Sequence, residues 1–217
     1  MAQTVGVVGG TGPAGRGVAL RLASAGHEVW LGSRDESRAD ECARLLTPRG
    51  DGVIRGVSNS GAASAALVII ATPWDSAVAT ARTLRKELDH KIVISMVNAL
   101  TREGKEVLPL VPARGSMAAQ LAFALPQSSV VGAFHHLPAA LMEDLDSGLG
   151  ADVAIFGDDP DARTVVVNLV DSLEGLRAIE VGSLSLAGAV EAFTAVCASI
   201  NIRHRAHSYL TISGLSL

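Results

Sequence analysis

Short runs of β-branched and other apolar residues recur along the chain and predict buried strands. These runs lie at residues 5–8, 28–31, 53–57, 67–71, 92–95, 130–134 and 153–156. Between the earlier runs, segments such as "GRGVALRLASAG" and "ESRADECARLL" place apolar residues at helical spacing. Strands that alternate with helices are typical of βαβ units, which build parallel sheets. The pattern therefore predicts an α/β fold with a doubly wound, mostly parallel sheet.

The alternation changes after residue 140. An acidic loop, "MEDLDSGLG", is followed by a strand, "ADVAIFGDD", a helix, "ARTVVVNLVDSLEG", a second strand, "LRAIEVG", and a final apolar helix. We therefore expect one domain over residues 1–140 and a small C-terminal α/β lobe over residues 141–217, with an extension of the main sheet as the alternative. The apolar stretch "SLSLAGAVEAFTAVCASI" is interrupted by Glu191, and it predicts a buried helix.

Composition and charge narrow the class of protein. Hydrophobic residues make up 48% of the 217 residues but aromatic residues only 3%, so we expect a core of Ala, Val, Leu and Ile. The net charge of -4 does not suggest the basic face that nucleic-acid binding needs. The segment "MAQTVGVVGG" does not resemble a secretion signal, and no apolar run is expected to reach the ~18 residues of a membrane span. We expect a cytoplasmic protein without a nucleic-acid or membrane partner.

The two cysteines and the scattered histidines give no sign of a metal site or of a disulfide. Cys42 and Cys197 are far apart in the sequence, which favours neither a disulfide framework nor a zinc site. His204 and His207 lie in a late segment without an acidic partner nearby. We therefore expect no bound metal and a reducing compartment.

A glycine-rich turn follows the first predicted strand and opens the first predicted helix. The turn carries Gly10-x-Gly12-x-x-Gly15, and its remaining residues are Thr11, Pro13 and Ala14. In this motif we expect Gly10 to allow the tight turn, Gly12 to let the backbone approach a pyrophosphate, and Gly15 to let helix and strand pack closely. The order of strand, glycines and helix predicts a Rossmann-type dinucleotide site; a glycine-rich turn without a ligand is the alternative.

The residues after the second strand predict which nicotinamide dinucleotide binds. NAD-binding folds place a carboxylate there for the ribose hydroxyls, whereas this chain has Ser33 and Arg34, with Arg38 one helical turn later. A hydroxyl and guanidinium groups suit a phosphate, and Thr11 can add a second hydroxyl. If Asp35 caps the following helix, its carboxylate is not free for the ribose. The sequence predicts NADP(H), and a solvated helix start is the alternative.

The ends of three later strands carry the remaining candidate residues. Thr72, Pro73 and Trp74 are expected beside the nicotinamide half, with Val97 and Asn98 opposite. The segment of His135, His136, Leu137 and Pro138 is expected to face a second substrate. Successive strand residues point to opposite faces, so in a regular strand only one of the two histidines lines a pocket and the other is structural.

No set of acid and base groups typical of an alcohol dehydrogenase is visible. Such an enzyme handles the alcohol proton with a His–carboxylate pair or with Tyr and Lys on one helix, and Tyr209 is the only tyrosine and has no such neighbour. This favours a reaction in which hydride passes directly between two redox rings and the protein contributes orientation. We therefore predict no catalytic residue, with His136 as a candidate for orienting a ring.

With these residues described, the chain resembles the NADPH-dependent F420 reductases, also called F420H2:NADP oxidoreductases. The resemblance covers nearly the whole chain, through "GGTGPAGRGVALRLASAGHEVWLGSRD", "ATPWDSA", "HHLPAA", "FGDDPDA" and "GLRAIEVGSL". It is weaker over residues 95–126 and 200–217. The resemblance implies reversible hydride transfer between C5 of the deazaflavin coenzyme F420 and C4 of the nicotinamide of NADP, in a homodimer.

By position, the resemblance implies that Thr11, Ser33, Arg34 and Arg38 hold NADP and that residues 72–74 flank the nicotinamide. It also implies that residues 136–138 border the deazaflavin ring and that the C-terminal lobe helps to shape this pocket. Two other functions stay open. One is an NADP-linked reductase of a flavin or of a small imine or carbonyl compound. The other is a non-catalytic NADPH-sensing module.

Overall fold

The computed structural model describes residues 2–215, so Met1, Ser216 and Leu217 of the two expected domains lie outside it. An eight-stranded sheet forms its centre, in the order β10-β9-β8-β5-β4-β1-β2-β3. Its strands are β1 Thr4–Val8, β2 Glu28–Ser33, β3 Val53–Ser58, β4 Leu67–Ile70, β5 Ile92–Ser95, β8 Ser129–Gly132, β9 Ala151–Gly157 and β10 Leu176–Gly182. The remaining two strands, β6 Leu100–Glu103 and β7 Glu106–Pro109, form a separate antiparallel hairpin.

Parallel pairing joins the six strands from β3 to β8, as the alternating sequence pattern predicts. The chain first runs outward from β1 to β3 and then returns to β4 on the other side of β1. Strand order therefore reverses between β1 and β4. In open α/β sheets, ligands bind at such a reversal, outside the carboxyl ends of the strands.

Helices cover both faces of this sheet. They are α1 Pro13–Ser24, α2 Glu36–Leu45, α3 Asn59–Ala63, α4 Trp74–Thr83, α5 Arg85–Leu88, α6 Met117–Ala124, α7 Ala139–Glu143, α8 Pro160–Asp171 and α9 Ala187–His204. Successive residues of one strand enter different cores: Val7 packs in the core with α1 and α8, whereas Val8 packs in the core with α4 and α6. The doubly wound α/β fold is confirmed.

Residues after 140 form the small C-terminal α/β part by extending the same sheet. β9 pairs antiparallel to β8, and β10 pairs parallel to β9, so the last two strands run against the other six. The extension, which was the alternative arrangement, is therefore present. Arg177 of β10 binds the carboxylate of Asp152 in β9 through two short contacts of 2.6 and 2.7 Å and also donates to the carbonyl of Ile212.

Three expectations about the chain were wrong. The strand predicted at 130–134 ends at Gly132, because Phe134 takes a left-handed backbone conformation with φ +66° and the chain turns. The final helix is not buried throughout: α9 buries one side, while Phe193, Val196 and Ile200 are 43%, 48% and 41% exposed. The expectation that no apolar run has the length of a membrane span is also wrong, since the helical stretch Leu184–His204, with a mean hydropathy of 1.4, is long and apolar enough.

Candidate cofactor site

The glycine turn after β1 is held by backbone and side-chain hydrogen bonds. Gly9 has φ +74°, a conformation that favours glycine, and its N–H donates to Oδ1 of Asn59 at 3.0 Å. The N–H of Gly10 donates to the carbonyls of Val7, at 3.1 Å, and Gly32, at 2.8 Å. The turn is therefore tied to the ends of both β2 and β3.

The three glycines of the motif have different roles, and one differs from the expectation. The tight turn assigned to Gly10 belongs to Gly9, a residue that lies just before the motif. A Cβ at Gly10 would lie 2.7 Å from Leu31, and a Cβ at Gly15 would lie 2.7 Å from the Cα of Gly10, so these two glycines allow close packing. Gly12 has no neighbour nearer than 3.8 Å on that side and opens to the cleft.

The start of α1 fits an anionic ligand. Gly12 is the N-cap residue and, having no side chain, leaves the first turn of the helix uncapped. The backbone N–H groups at such a helix start, together with the helix dipole, favour a phosphate. The geometry of the turn therefore suits a pyrophosphate.

The end of β2 is arranged as its sequence predicts. Oδ1 of Asp35 accepts from the N–H groups of Ser37 at 3.0 Å and Arg38 at 3.4 Å, so this carboxylate caps α2. Ser33 is buried, and its Oγ accepts from the N–H of Asp35 at 3.2 Å. Arg34 and Arg38 form no ion pair with any residue in the described part of the chain. Their guanidinium groups remain as donors at the cleft.

A cleft of about 570 Å³ connects these features at the carboxyl edge of the sheet, where strand order reverses. It brings together predicted residues from four regions of the chain, namely Thr11, Gly12, Pro13, Ala14, Ser33, Arg34, Arg38, Thr72, Pro73, Trp74, Val97 and Asn98. The sequence analysis missed other lining residues, namely Gly9, Asn59, Ala71, Ser76, Thr80, Met96 and Leu100. A neighbouring cavity of about 410 Å³ shares Ser33, Arg34 and Asn59 with it.

The far end of the cleft is bordered by Thr72, Pro73 and Trp74. Oγ1 of Thr72 is buried and has no hydrogen-bond partner among the described residues, which leaves a polar atom at the cleft for a ligand. Trp74 begins α4 and is 40% exposed, with the cleft beside it. The cleft therefore extends from the glycine turn to the segments that follow β4 and β5.

His135 lies beneath the cleft rather than in its lining. Its Nδ1 contacts Oδ1 of Asn98 at 2.9 Å, and its ring stacks on Phe156 with 5.3 Å between centroids. Burial lowers the pKa of His135 to about 3, so the ring is neutral at physiological pH. Oγ1 of Thr194 donates to Oδ1 of Asn98 at 3.1 Å, and Nδ2 of Asn98 donates to the carbonyl of His135 at 3.2 Å. These contacts define the orientation of the Asn98 amide.

His136 is also buried, and it contacts a different helix. Its Nε2 donates to the carbonyl of Val190 in α9 at 2.7 Å, and its ring meets Phe193 edge-on. Burial lowers the pKa of His136. Because β8 has already ended, the two histidines do not alternate across a strand, and both are bonded inside the protein. Leu137 and Pro138 are half-buried and do not line the cleft either, so the role of residues 135–138 at a second substrate stays a prediction.

Glu191, which interrupts the apolar stretch in the sequence, binds the start of α6. Its two carboxylate oxygens accept from the N–H groups of Met117 at 2.7 Å and Ala118 at 2.9 Å. Glu191 is 5% exposed, and burial raises its pKa to about 7. Thr194 follows three residues later on α9, so Glu191 anchors the helix that holds Asn98. Among residues 2–215, no three His, Cys, Asp or Glu side chains come together as metal ligands would.

The fold and this cleft define a Rossmann-type protein that binds a dinucleotide. Residues 4–99 match the family described as "NADP oxidoreductase coenzyme F420-dependent". The F420-dependent NADP reductase of Methanocaldococcus jannaschii is 35% identical over 209 residues, covering 93% of each chain. That of Methanothermobacter thermautotrophicus is 32% identical and covers 94% of this chain and 92% of its own. The chain belongs to the family of F420-dependent NADP reductases, which are oxidoreductases.

A solved structure supports the fold. The crystal structure of a protein from Arthrobacter sp. FB24, provisionally described as an F420-dependent NADP reductase, superposes with a TM-score of 0.80. It is 23% identical, and the match covers 96% of this chain and 97% of that one. The fold of this chain, including the residues after 140, therefore matches that structure over nearly the whole of both chains.

Proposed function

We propose that this protein transfers a hydride reversibly between NADP(H) and coenzyme F420. The single observation that carries the proposal is the cleft itself. One end presents two guanidinium groups and a hydroxyl after β2, with no free carboxylate, and the other end lies between the segments that follow β4 and β5. A phosphorylated adenosine suits the first end and a nicotinamide suits the second. Membership of the F420-dependent NADP reductase family then names the second coenzyme.

At the adenosine end, the proposed roles follow from charge. Arg34 and Arg38 bind the 2′-phosphate through charge-assisted hydrogen bonds, and the hydroxyl of Ser33 adds a donor. Thr11 and the first turn of α1 bind the pyrophosphate. Asp35 stays with the helix start, so no carboxylate opposes the phosphate.

At the nicotinamide end, the proposed role of the protein is to orient the ring, without a side chain that reacts with it. Residues 72–74 border one side of the ring, and residues 96–98 border the other. These residues would hold the nicotinamide of NADPH, whose C4 would supply the hydride that C5 of F420 takes up, which leaves NADP⁺. Because His135 is neutral and its Nδ1 proton is bonded to Asn98, we give it no part in proton transfer and the role of fixing the Asn98 amide. We place the deazaflavin beside residues 136–138, with the C-terminal residues 141–217 shaping its pocket.

A turnover assay tests the proposal. Oxidised F420 absorbs visible light and loses this absorbance on reduction, so protein, NADPH and F420 are mixed and the absorbance is followed. We expect a decrease with NADPH and a much slower one with NADH. Turnover of FMN, FAD or an imine without turnover of F420 would instead identify a different reductase. Tight NADPH binding without turnover of any acceptor would identify a sensor.

We further propose a cytoplasmic homodimer, with no membrane or nucleic-acid partner, in which copies meet through the outer side of α9. This side presents Val196 and Ile200 beside Val107 of β7, in an apolar groove of about 340 Å³. Glu106 and Arg203 pair with each other at its edge, at 3.3 Å, so the apolar residues of the groove form the surface that a two-fold axis would bring against its own copy. Sedimentation of wild type and Val196→Glu tests this; a monomeric wild type would contradict it.

A further inference from the structure

Asn59 stands where the glycine turn meets the end of β2. It is the first residue of α3, directly after β3, and its Oδ1 accepts the N–H of Gly9 at 3.0 Å. A Cβ at Gly32 would lie 2.9 Å from the same oxygen, so the side chain packs closely against β2 as well. Asn59 therefore has a fixed position between the two segments that are expected to surround the adenosine ribose.

The contact with Gly9 determines which way the amide group faces. A backbone N–H can only donate, so the atom of Asn59 that meets it is the carbonyl oxygen. The NH₂ group then lies on the opposite side of the amide, and Nδ2 makes no hydrogen bond with any other residue between 2 and 215. Asn59 lines both the main cleft and the neighbouring cavity, together with Ser33 and Arg34.

We propose that the NH₂ group of Asn59 is a specificity-determining donor to the phosphorylated ribose of NADP(H). This inference rests on the NADP end of the proposed function. Around this position the side chains of Ser33, Arg34 and Arg38 can all donate to a ligand, and the carboxylate of Asp35 is engaged as a cap. With the NH₂ donor of Asn59, these groups together favour the binding of an anionic oxygen. A carboxylate in its place would accept from a ribose hydroxyl and repel a phosphate.

The variant Asn59→Asp separates this role from a purely structural one. It keeps the shape of the side chain and an oxygen for the N–H of Gly9, and it changes only the donor into an anionic acceptor. We expect the Kd for NADP⁺ to rise about tenfold or more. The Kd for NAD⁺ should stay the same or fall. Calorimetry at one fixed salt concentration gives both constants.

Asn168→Asp is the matched control, because it adds the same charge at an exposed position on α8. It should leave the ratio of the two constants at the wild-type value. A ratio for Asn59→Asp within twofold of wild type would overturn the proposal. So would an equal loss for both cofactors, since this would mean that Asn59 only shapes the glycine turn.

A measurement on the wild-type protein covers the case in which the variant does not fold. In ¹⁵N-labelled protein, the side-chain NH₂ signals of Asn59 should shift on addition of 2′,5′-ADP and shift much less with 5′-ADP. Equal shifts with both nucleotides would contradict the proposal. The binding experiments do not use F420, so a failure to reduce F420 would refute the proposed reaction and leave this inference standing.

Discussion

The two ends of the cofactor cleft use their polar side chains in different ways. At the proposed adenosine end, Arg34 and Arg38 line the cleft with guanidinium groups that form no ion pair in the described part of the chain. At the nicotinamide end, Asn98 is bonded to His135 and Thr194 inside the protein. Free donors supply binding energy, whereas a bonded network supplies position. From this difference we expect the affinity for NADP⁺ to depend on the adenosine end and kcat to depend on the nicotinamide end.

Removing a guanidinium from the adenosine end should have the largest effect. For Arg34→Ala we expect a loss of about 2–3 kcal/mol in NADP⁺ binding, since a hydrogen bond to a charged group contributes this much. Binding of NAD⁺ should change little. The comparison of dissociation constants by calorimetry is the measurement. Arg44→Ala removes only an exposed pair with Asp40 and serves as the control. Equal losses in the binding of NADP⁺ and NAD⁺ would contradict the assignment of Arg34 to the 2′-phosphate.

The free energy of unfolding should depend on pH through Glu191, which anchors the helix α9 behind the nicotinamide end. Its pKa is about 7 in the folded protein against an unfolded value near 4.5, so the folded state holds the proton more tightly. The resulting stability is present below about pH 4.5 and is lost as pH rises to about 7. We expect a decrease of about 3 kcal/mol in the free energy of unfolding over this range.

Urea unfolding of wild type and Glu191→Gln at pH 5 and pH 8 checks this. The difference between the two proteins isolates Glu191, because lowered pKa values of His27 and His136 act in the opposite direction and are present in both. In the variant, this decrease should disappear. A wild-type stability that does not fall relative to the variant would refute the assignment.

Breaking the network at Asn98 should affect turnover more than binding. For Asn98→Ala we expect kcat to fall about tenfold, or ~1.4 kcal/mol in the barrier. The Kd for NADP⁺ should stay within about threefold, because the adenosine end is unchanged. Stopped-flow reduction of F420 together with calorimetry separates the two quantities. A larger change in Kd than in kcat would remove the distinction between the ends.

Thr194→Val should give the smallest effect. It removes one of the donors to Asn98 and leaves the one from His135, so about 1 kcal/mol or less is lost. We expect kcat to fall about threefold, consistent with a modest loss of orientation. Thr164→Val, at an exposed site on α8, is the matched control. An effect as large as that of Asn98→Ala would show that Thr194 contacts a substrate directly.

The same contrast explains what could be predicted from the sequence. The adenosine end comes from contiguous segments: the glycine turn, and Ser33 to Arg38 with their capping Asp35. The parallel sheet also follows from local periodicity. Asn59 was missed because its partner Gly9 lies 50 residues away, a separation that no local pattern reveals.

The nicotinamide end is assembled over longer separations. Asn98 meets Thr194 across 96 residues, and Glu191 meets Met117 across 74. Phe134 ends β8 early through a positive φ, although no glycine marks the turn. The half-exposed state of α9 was not predictable either, because apolar residues occupy its outer side as well as its inner one. These features depend on tertiary packing rather than on local preference.

The hydrogen bonds around Gly9 and Gly10 have a thermodynamic consequence. Asn59 and the carbonyl of Gly32 already hold the turn from two sides, and Thr72 packs against Gly9. A loop that is ordered before its ligand arrives does not lose conformational entropy on association. Binding of the dinucleotide should therefore change the conformation of this turn little. The hydrogen-exchange rates of its backbone amides should be nearly the same with and without the ligand.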